Sequence, residues 1–340
     1  MEKKPWRSLK DSQLLEKRIT EFGLEIEHTA LEPLIRRLYG ELNAKGLVFH
    51  PACFLADEWF VPVGIPAIGI PFYLSDPRLR RMERTTMLEV EGGTVSEFMK
   101  LIRHETAHAY SYAYGLYKKT RWRKLFGLSS QEYDTETYDP KPYSRSYVVH
   151  LENWYAQSHP DEDFAETFAV WLKPGFDWRK RYRNWKGALE KLSYVDSLMK
   201  SLEGRAPANT PPLKAKEVSG LAIKLSTYYK RKKKIYEEDY PDFYDRDLTR
   251  LFTSKPEERG DEKASRYLRR NYDSILKAVC FWTNEKRYTA DQLMRNLIPR
   301  CNELNLYVRK GDNDTGFQVA SYITTLISNH LFTGKFKRSK

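Results

Sequence analysis

"LIRHETAHAYSYAYGL", residues 101–116, decides how the rest of the chain is read. It lies in a helix predicted from about Val95 to Tyr114 and closed near Gly115, a residue at which helices often stop. On a helix, residues i and i+4 share a face, so His104 and His108 can offer two imidazoles to a single metal ion. Glu105 lies beside that face, where its carboxylate can reach a metal-bound water without binding the metal. Zinc brings the pKa of such a water near 7, and a glutamate can take its proton as it attacks a peptide carbonyl. This is the chemistry of the HExxH pattern. The plainer alternative is a helix with two histidines satisfied by ordinary hydrogen bonds.

A catalytic zinc needs a third protein ligand and an open position. A metzincin would continue with Gly at 111 and His at 114. Ser111 and Tyr114 stand there and exclude that class. The next source of ligands is a second predicted helix, "SHPDEDFAETFAVWL", residues 158–172. Ser158 or His159 can cap it, Pro160 suits its first turn, and the acids that follow complement the helix dipole. The dipole does not account for Glu166, an acid on an apolar stretch, where burial without a partner is costly. Glu162 and Glu166 are again four apart. One can bind the metal while the other holds a ligand histidine by its distal nitrogen. Asp163 is one step round the helix and faces elsewhere if Glu162 faces the metal. His159, beside Pro160, reads as a cap. His150, in "YVVHLENW", reads as a packed strand residue.

These residues carry a resemblance. "RHETAHAYSYAY" (103–114) followed by "NWYAQSHPDEDFAETFAVWL" (153–172) resembles the gluzincin zinc metallopeptidases, and more closely a bacterial family of zinc-binding metallopeptidases. The second segment is also similar to the catalytic domain of anthrax lethal factor and its relatives, which carry an E-x-F-A-E stretch; here it is "EDFAE", 162–166. The resemblance implies a zinc ligand at Glu162, a supporting carboxylate at Glu166 and an oxyanion-stabilising tyrosine seven residues before the ligand, at Tyr155. It is specific over about 95–175 and weaker over 20–200.

Elsewhere the chain is less telling. Residues 11–44 have helical apolar spacing, with Leu24, Ile26, Leu31, Leu34, Ile35, Leu38 and Leu42 in series. "GLVFHPACFL", "EWFVPV" and "AIGIPFYL" read as short strands. Pro66 before the last and Pro71 inside it put that strand at a sheet edge, where Ile68–Tyr73 could align an extended peptide. Residues 128–148 read as a long surface loop and 203–217, "EGRAPANTPPLKAKE", as a linker. The sequence beyond is mainly helical in pattern.

Net charge is +12, gathered partly in "KKTRWRK" (118–124), "KRKKK" (230–234) and "KFKRSK" at the end. Such runs attract nucleic acid or form solvated helix faces. "YKRKKKIYEEDY" passes straight from basic to acidic residues, which favours the solvated face. The opening residues carry no apolar signal-peptide core, and the most apolar stretch, 60–74, is too short to span a bilayer and is broken by three prolines. Cys53, Cys280 and Cys301 form neither a disulfide framework nor a CxxC pair, which fits a reducing cytoplasm.

The expected protein is therefore α+β. A gluzincin-like catalytic domain covers 1–205, with a small sheet over the HExxH helix, and a mainly helical basic domain covers 215–340. The expected function is zinc-dependent hydrolysis of peptide or protein substrates. His104, His108 and Glu162 hold Zn2+, Glu105 is the base, Tyr155 binds the oxyanion, and Glu166 supports the ligands. Two other readings use the same residues: a nucleic-acid-associated protein with a structural metal, and a hydrolase of non-peptide amides.

Overall fold

The computed structural model describes residues 5–131, 140–152, 154–207, 221–235 and 244–333. The chain is α-rich with small sheets and divides into two compact units. The first takes in the described residues up to Lys230 apart from Met87–Glu89. The second takes in Met87–Glu89 and the described residues from Arg231 onward.

The first unit opens with α1 (Asp11–Leu15) and a 3-10 turn at Ile19–Phe22, followed by α2 (Leu31–Asn43). The helix expected over 11–44 is thus broken. Gly23 sits at φ +51°, and the indole of Trp6 donates to the Phe22 carbonyl that a continuing helix would have used. Next come β1 (Ala52–Ala56), β2 (Ala67–Pro71), α3 (Pro77–Met87) and α4 (Val95–Tyr114).

α4 has the predicted bounds for local reasons. Thr94 Oγ1 accepts from the Glu97 amide while Glu97 accepts from the Thr94 amide, and Gly115 at φ +60° stops the far end. Its N-terminal half is tied to α2 by a buried ion pair. Nε and an Nη of Arg103 donate to the two oxygens of Glu41 at 2.6 and 2.7 Å.

The sheet is smaller than the sequence promises. Among the described residues of the first unit only β1 and β2 pair as strands, in parallel, with Phe54 opposite Gly69, and "EWFVPV" forms no strand. From that stretch Phe60 makes a single antiparallel bridge to Gly69 on the outer side of β2. Alternate residues of a strand present their amides to the same edge. On this edge the Ala67 amide donates to the Ile65 carbonyl, the Gly69 amide to the Phe60 carbonyl, and Pro71 has no amide. All five residues of β2 are buried. The expected docking of a substrate backbone along Ile68–Tyr73 is therefore not supported: the outer edge of β2 offers no free amide from Ala67 to Pro71, and residues 72–75 turn into a 3-10 helix.

α5 (Thr120–Phe126), α6 (Pro160–Leu172), α7 (Trp178–Arg181) and α8 (Lys186–Lys200) complete the packing round α4. α6 lies against α4. Its buried Phe164 and Phe168 join Tyr110, Trp122 and Phe126 in an aromatic core. Each such ring contributes about 1.5–3 kcal/mol by leaving water. Of the predicted linker only 203–207 is described, and 208–220 lies outside the described residues, as does 132–139 of the predicted loop. Leu221–Lys230 belongs to the first unit. The Ile19 amide donates to the Ile223 carbonyl and the Leu225 amide to that of Lys17, and Tyr228 stacks edge-on against Phe72. This segment carries the start of α9 (Leu225–Ile235).

The second unit holds α10 (Asp245–Leu251), β3 (Arg259–Lys263), α11 (Ala264–Arg270), α12 (Tyr272–Thr283), α13 (Arg287–Glu303), β4 (Tyr307–Arg309) and α14 (Thr315–Thr333). β3 and β4 pair antiparallel, and its own core is built on Leu276, Leu293, Leu297 and Ile323. No described helix is long and apolar enough to cross a membrane.

Candidate metal centre

α4 and α6 bring their predicted site residues to one point. Nε2 of His104 stands 3.2 Å from Nε2 of His108 and 2.9 Å from Oε2 of Glu162; His108 Nε2 is 3.4 Å from the same oxygen. Among the described residues these three side chains form the one group able to hold a metal ion. In a tetrahedral zinc site with bonds of about 2.0–2.2 Å, ligand atoms lie about 3.3–3.6 Å apart. The observed separations fall at or slightly below that edge length, so the donors fit a single zinc ion without rearrangement of the helices.

The remaining nitrogen of His104 is also held. Its Nδ1 lies 2.9 Å from Oε1 of Glu166, and Oε2 of Glu166 accepts from the Leu151 amide at 2.7 Å. In the structure Glu162 meets the nitrogens that converge, and Glu166 meets the nitrogen that points away.

The electrostatics favour positive charge on the imidazole and negative charge on the carboxylates here. Burial alone would lower the His104 pKa, but Glu162 and Glu166 outweigh it and hold it well above the usual histidine value. Burial likewise acts to raise Glu162, yet the two histidines hold its carboxyl far below the usual range. Glu166 is lowered against its burial by His104.

Glu105 is 8% exposed and makes no hydrogen bond to a described residue. Burial raises its pKa against the pull of His104 and His108. Tyr155 follows Trp154, which sits in the left-handed region at φ +54°. The Tyr155 ring lies 5.8 Å from that of His104. The hydroxyl is pushed up by burial and by Glu162, Glu105 and Glu166.

The other candidates are placed elsewhere. His159 caps α6, its Nδ1 accepting from the Asp161 amide and its Nε2 donating to the Gln131 carbonyl. Asp163 pairs with Lys191 at 2.5 Å. His150 is not in a strand; its Nε2 donates to the Lys100 carbonyl. Two features went unread in the sequence. One is the Arg103–Glu41 pair, whose only sign is an acid on the apolar face of α2. The other is Tyr112, one turn beyond His108, whose hydroxyl is raised by burial and by Asp161, Tyr117 and Glu162.

Residues 66–176 match a family described as "Putative zinc-binding metallo-peptidase". The match runs from the start of β2 through α4 and Tyr155 to the end of α6, and so contains the whole cluster. This similarity points to a metal-dependent peptidase. No curated protein and no solved structure matches the chain.

Proposed function

We propose that this protein is a gluzincin-type zinc metallopeptidase, with its catalytic domain in 1–205 and a separate helical domain from 215 onward, working in the cytoplasm on peptide or protein substrates. The observation that carries the proposal is the meeting of three donor atoms at zinc-like separations, with an unbonded, buried glutamate on the same helix. Only three described groups converge, whereas a closed structural zinc site uses four protein ligands.

His104 and His108, through Nε2, and Glu162, through Oε2, would hold the zinc, and Glu166 fixes the ring of His104. Zinc in such a site lowers the pKa of a coordinated water to near 7 and polarises a carbonyl. Glu105 takes the proton that the attacking water gives up and passes it to the leaving amine. Its burial suits this work, because a carboxyl raised towards neutrality both accepts and returns a proton readily. Tyr155, with its hydroxyl kept protonated, donates to the oxyanion that develops on the substrate carbonyl. β2 is given no part in holding the substrate, because its outer edge offers no free amide from Ala67 to Pro71.

Glu105→Gln tests this. It keeps the size of the side chain and removes its ability to take a proton. In an assay against a peptide library at equal zinc occupancy, turnover should fall by ~10²–10⁴ with zinc and fold retained. A wild type that cuts, with Glu105→Gln cutting equally well, refutes the mechanism. A protein that binds zinc and cuts no peptide returns the choice to the structural-metal and non-peptide readings.

A further inference from the structure

The short segment before Tyr155 is fastened at every residue from Val149 to Glu152. The Val149 amide donates to the Tyr182 hydroxyl at 3.1 Å. His150 Nε2 donates to the Lys100 carbonyl at 3.0 Å. The Leu151 amide donates to Glu166 at 2.7 Å, and Glu152 pairs with Lys100 at 3.1 Å. The Glu152 carbonyl then accepts from the Tyr155 amide at 3.2 Å, which closes the turn that lays Tyr155 against His104.

Two of these fastenings end on the metal ligands' own supports. Glu166 carries the Leu151 amide on one oxygen and His104 on the other. The Lys100 carbonyl is the one that, in the i to i−4 ladder of α4, accepts from the His104 amide. His150 therefore docks on the turn of α4 that ends at His104. It is the one buried side chain of the segment that reaches α4, at 9% exposed.

Resting on the peptidase reading, we propose that His150 is a positioning residue: it latches the Tyr155 turn to the turn of the ligand helix that ends at His104 and so sets where the tyrosine hydroxyl stands relative to that residue. A carbonyl only accepts, so the latch needs His150 with its proton on Nε2. Burial favours the neutral ring, the largest influence on a pKa lowered to about 4. Nothing here requires His150 to touch substrate or metal.

The test uses substitutions that differ in reach. Glutamine places its amide nitrogen near the position of Nε2 and can donate to Lys100. Asparagine is too short, and phenylalanine cannot donate. At equal zinc occupancy, His150→Asn and His150→Phe should lower kcat on a fluorogenic peptide by at least ~10-fold, with KM within about twofold, and His150→Gln should recover most of it. Tyr155→Phe alone should cost ~10²–10³. Adding His150→Phe to Tyr155→Phe should cost nothing more, because the latch acts only through that hydroxyl. Additive losses, or equal rates for the Asn and Gln variants, overturn the proposal.

Amide exchange supplies a readout free of turnover. In His150→Asn, residues 151–157 should lose protection by at least ~10-fold while α4 and α6 keep theirs. Unchanged exchange refutes the latch whether or not the protein cuts peptides. A wild type that cuts nothing refutes the peptidase reading, and the exchange result then decides the latch alone.

Discussion

Glu166 and His104 meet at 2.9 Å through Oε1 and Nδ1, on the side of the imidazole opposite Glu162. The ring is thus clamped between two carboxylates from adjacent turns of α6. One clamp lies where a metal would be shared with His108, and the other lies behind it. The two glutamates look alike in sequence, and their placement on opposite sides of the ring tells them apart.

Loss of zinc should follow that placement. Glu162→Ala removes the oxygen that faces both Nε2 atoms and should lose the metal most severely. Glu166→Ala leaves the three donors and frees the ring, so affinity should weaken by about 10–100-fold. Asp163→Ala and His159→Ala should leave zinc stoichiometry unchanged, since one side chain pairs with Lys191 and the other caps α6. Competition against a chromogenic chelator measures the order. Zinc loss in His159→Ala with retention in Glu162→Ala would overturn the assignment.

Asp163 gives a stability prediction with a defined sign. Burial pushes its carboxyl up to about 7, against the opposing pull of Lys191. One of its oxygens has no hydrogen-bond partner among the described residues, which fits burial winning over the ion pair. The unfolded chain releases this proton near pH 4 and the folded chain near pH 7. Between those values the folded state holds the extra proton, so this residue's contribution to stability falls as pH rises from about 4 to about 7. Asp163→Asn should flatten the dependence in that window, as measured by denaturant unfolding at pH 5 and pH 8. Lys191→Met removes the charge that opposes burial, so it should destabilise at pH 8, where the acid must either stay charged without its partner or take up a proton, and Asp163→Asn added to it should restore most of the loss.

The place where the chain is shortened should matter. Leu225, Tyr228 and Tyr229 are buried in the first unit, and each buried side chain of this kind is worth about 1.5–3 kcal/mol. A chain ending at Arg205 should therefore melt lower than one ending at Ile235, with the same zinc content. Calorimetry on the two separates this from a catalytic unit that is complete at 205, for which the melting temperatures would coincide.

The sequence by itself determined what depends on neighbours along the chain. The bounds of α4 follow from Thr94, Glu97 and Gly115. The common face of His104 and His108 follows from the turn of a helix, and the entry to α6 from His159 and Pro160. Local spacing also narrowed the third donor to a pair, Glu162 and Glu166. It did not choose between them, because both lie on the same face of α6 and the choice depends on how that helix crosses α4. The resemblance named Glu162. In the tertiary structure Glu162 stands 2.9 Å from Nε2 of His104 and Glu166 stands 2.9 Å from Nδ1 on the other side of the ring. The closure of β2 by Phe60, the pairing of Arg103 with Glu41 and the docking of His150 on Lys100 were likewise decided in space. Each joins residues 9 to 62 positions apart, where no helical or strand period operates, and each exists only because packing of the core brings a buried polar group within reach of the partner it requires.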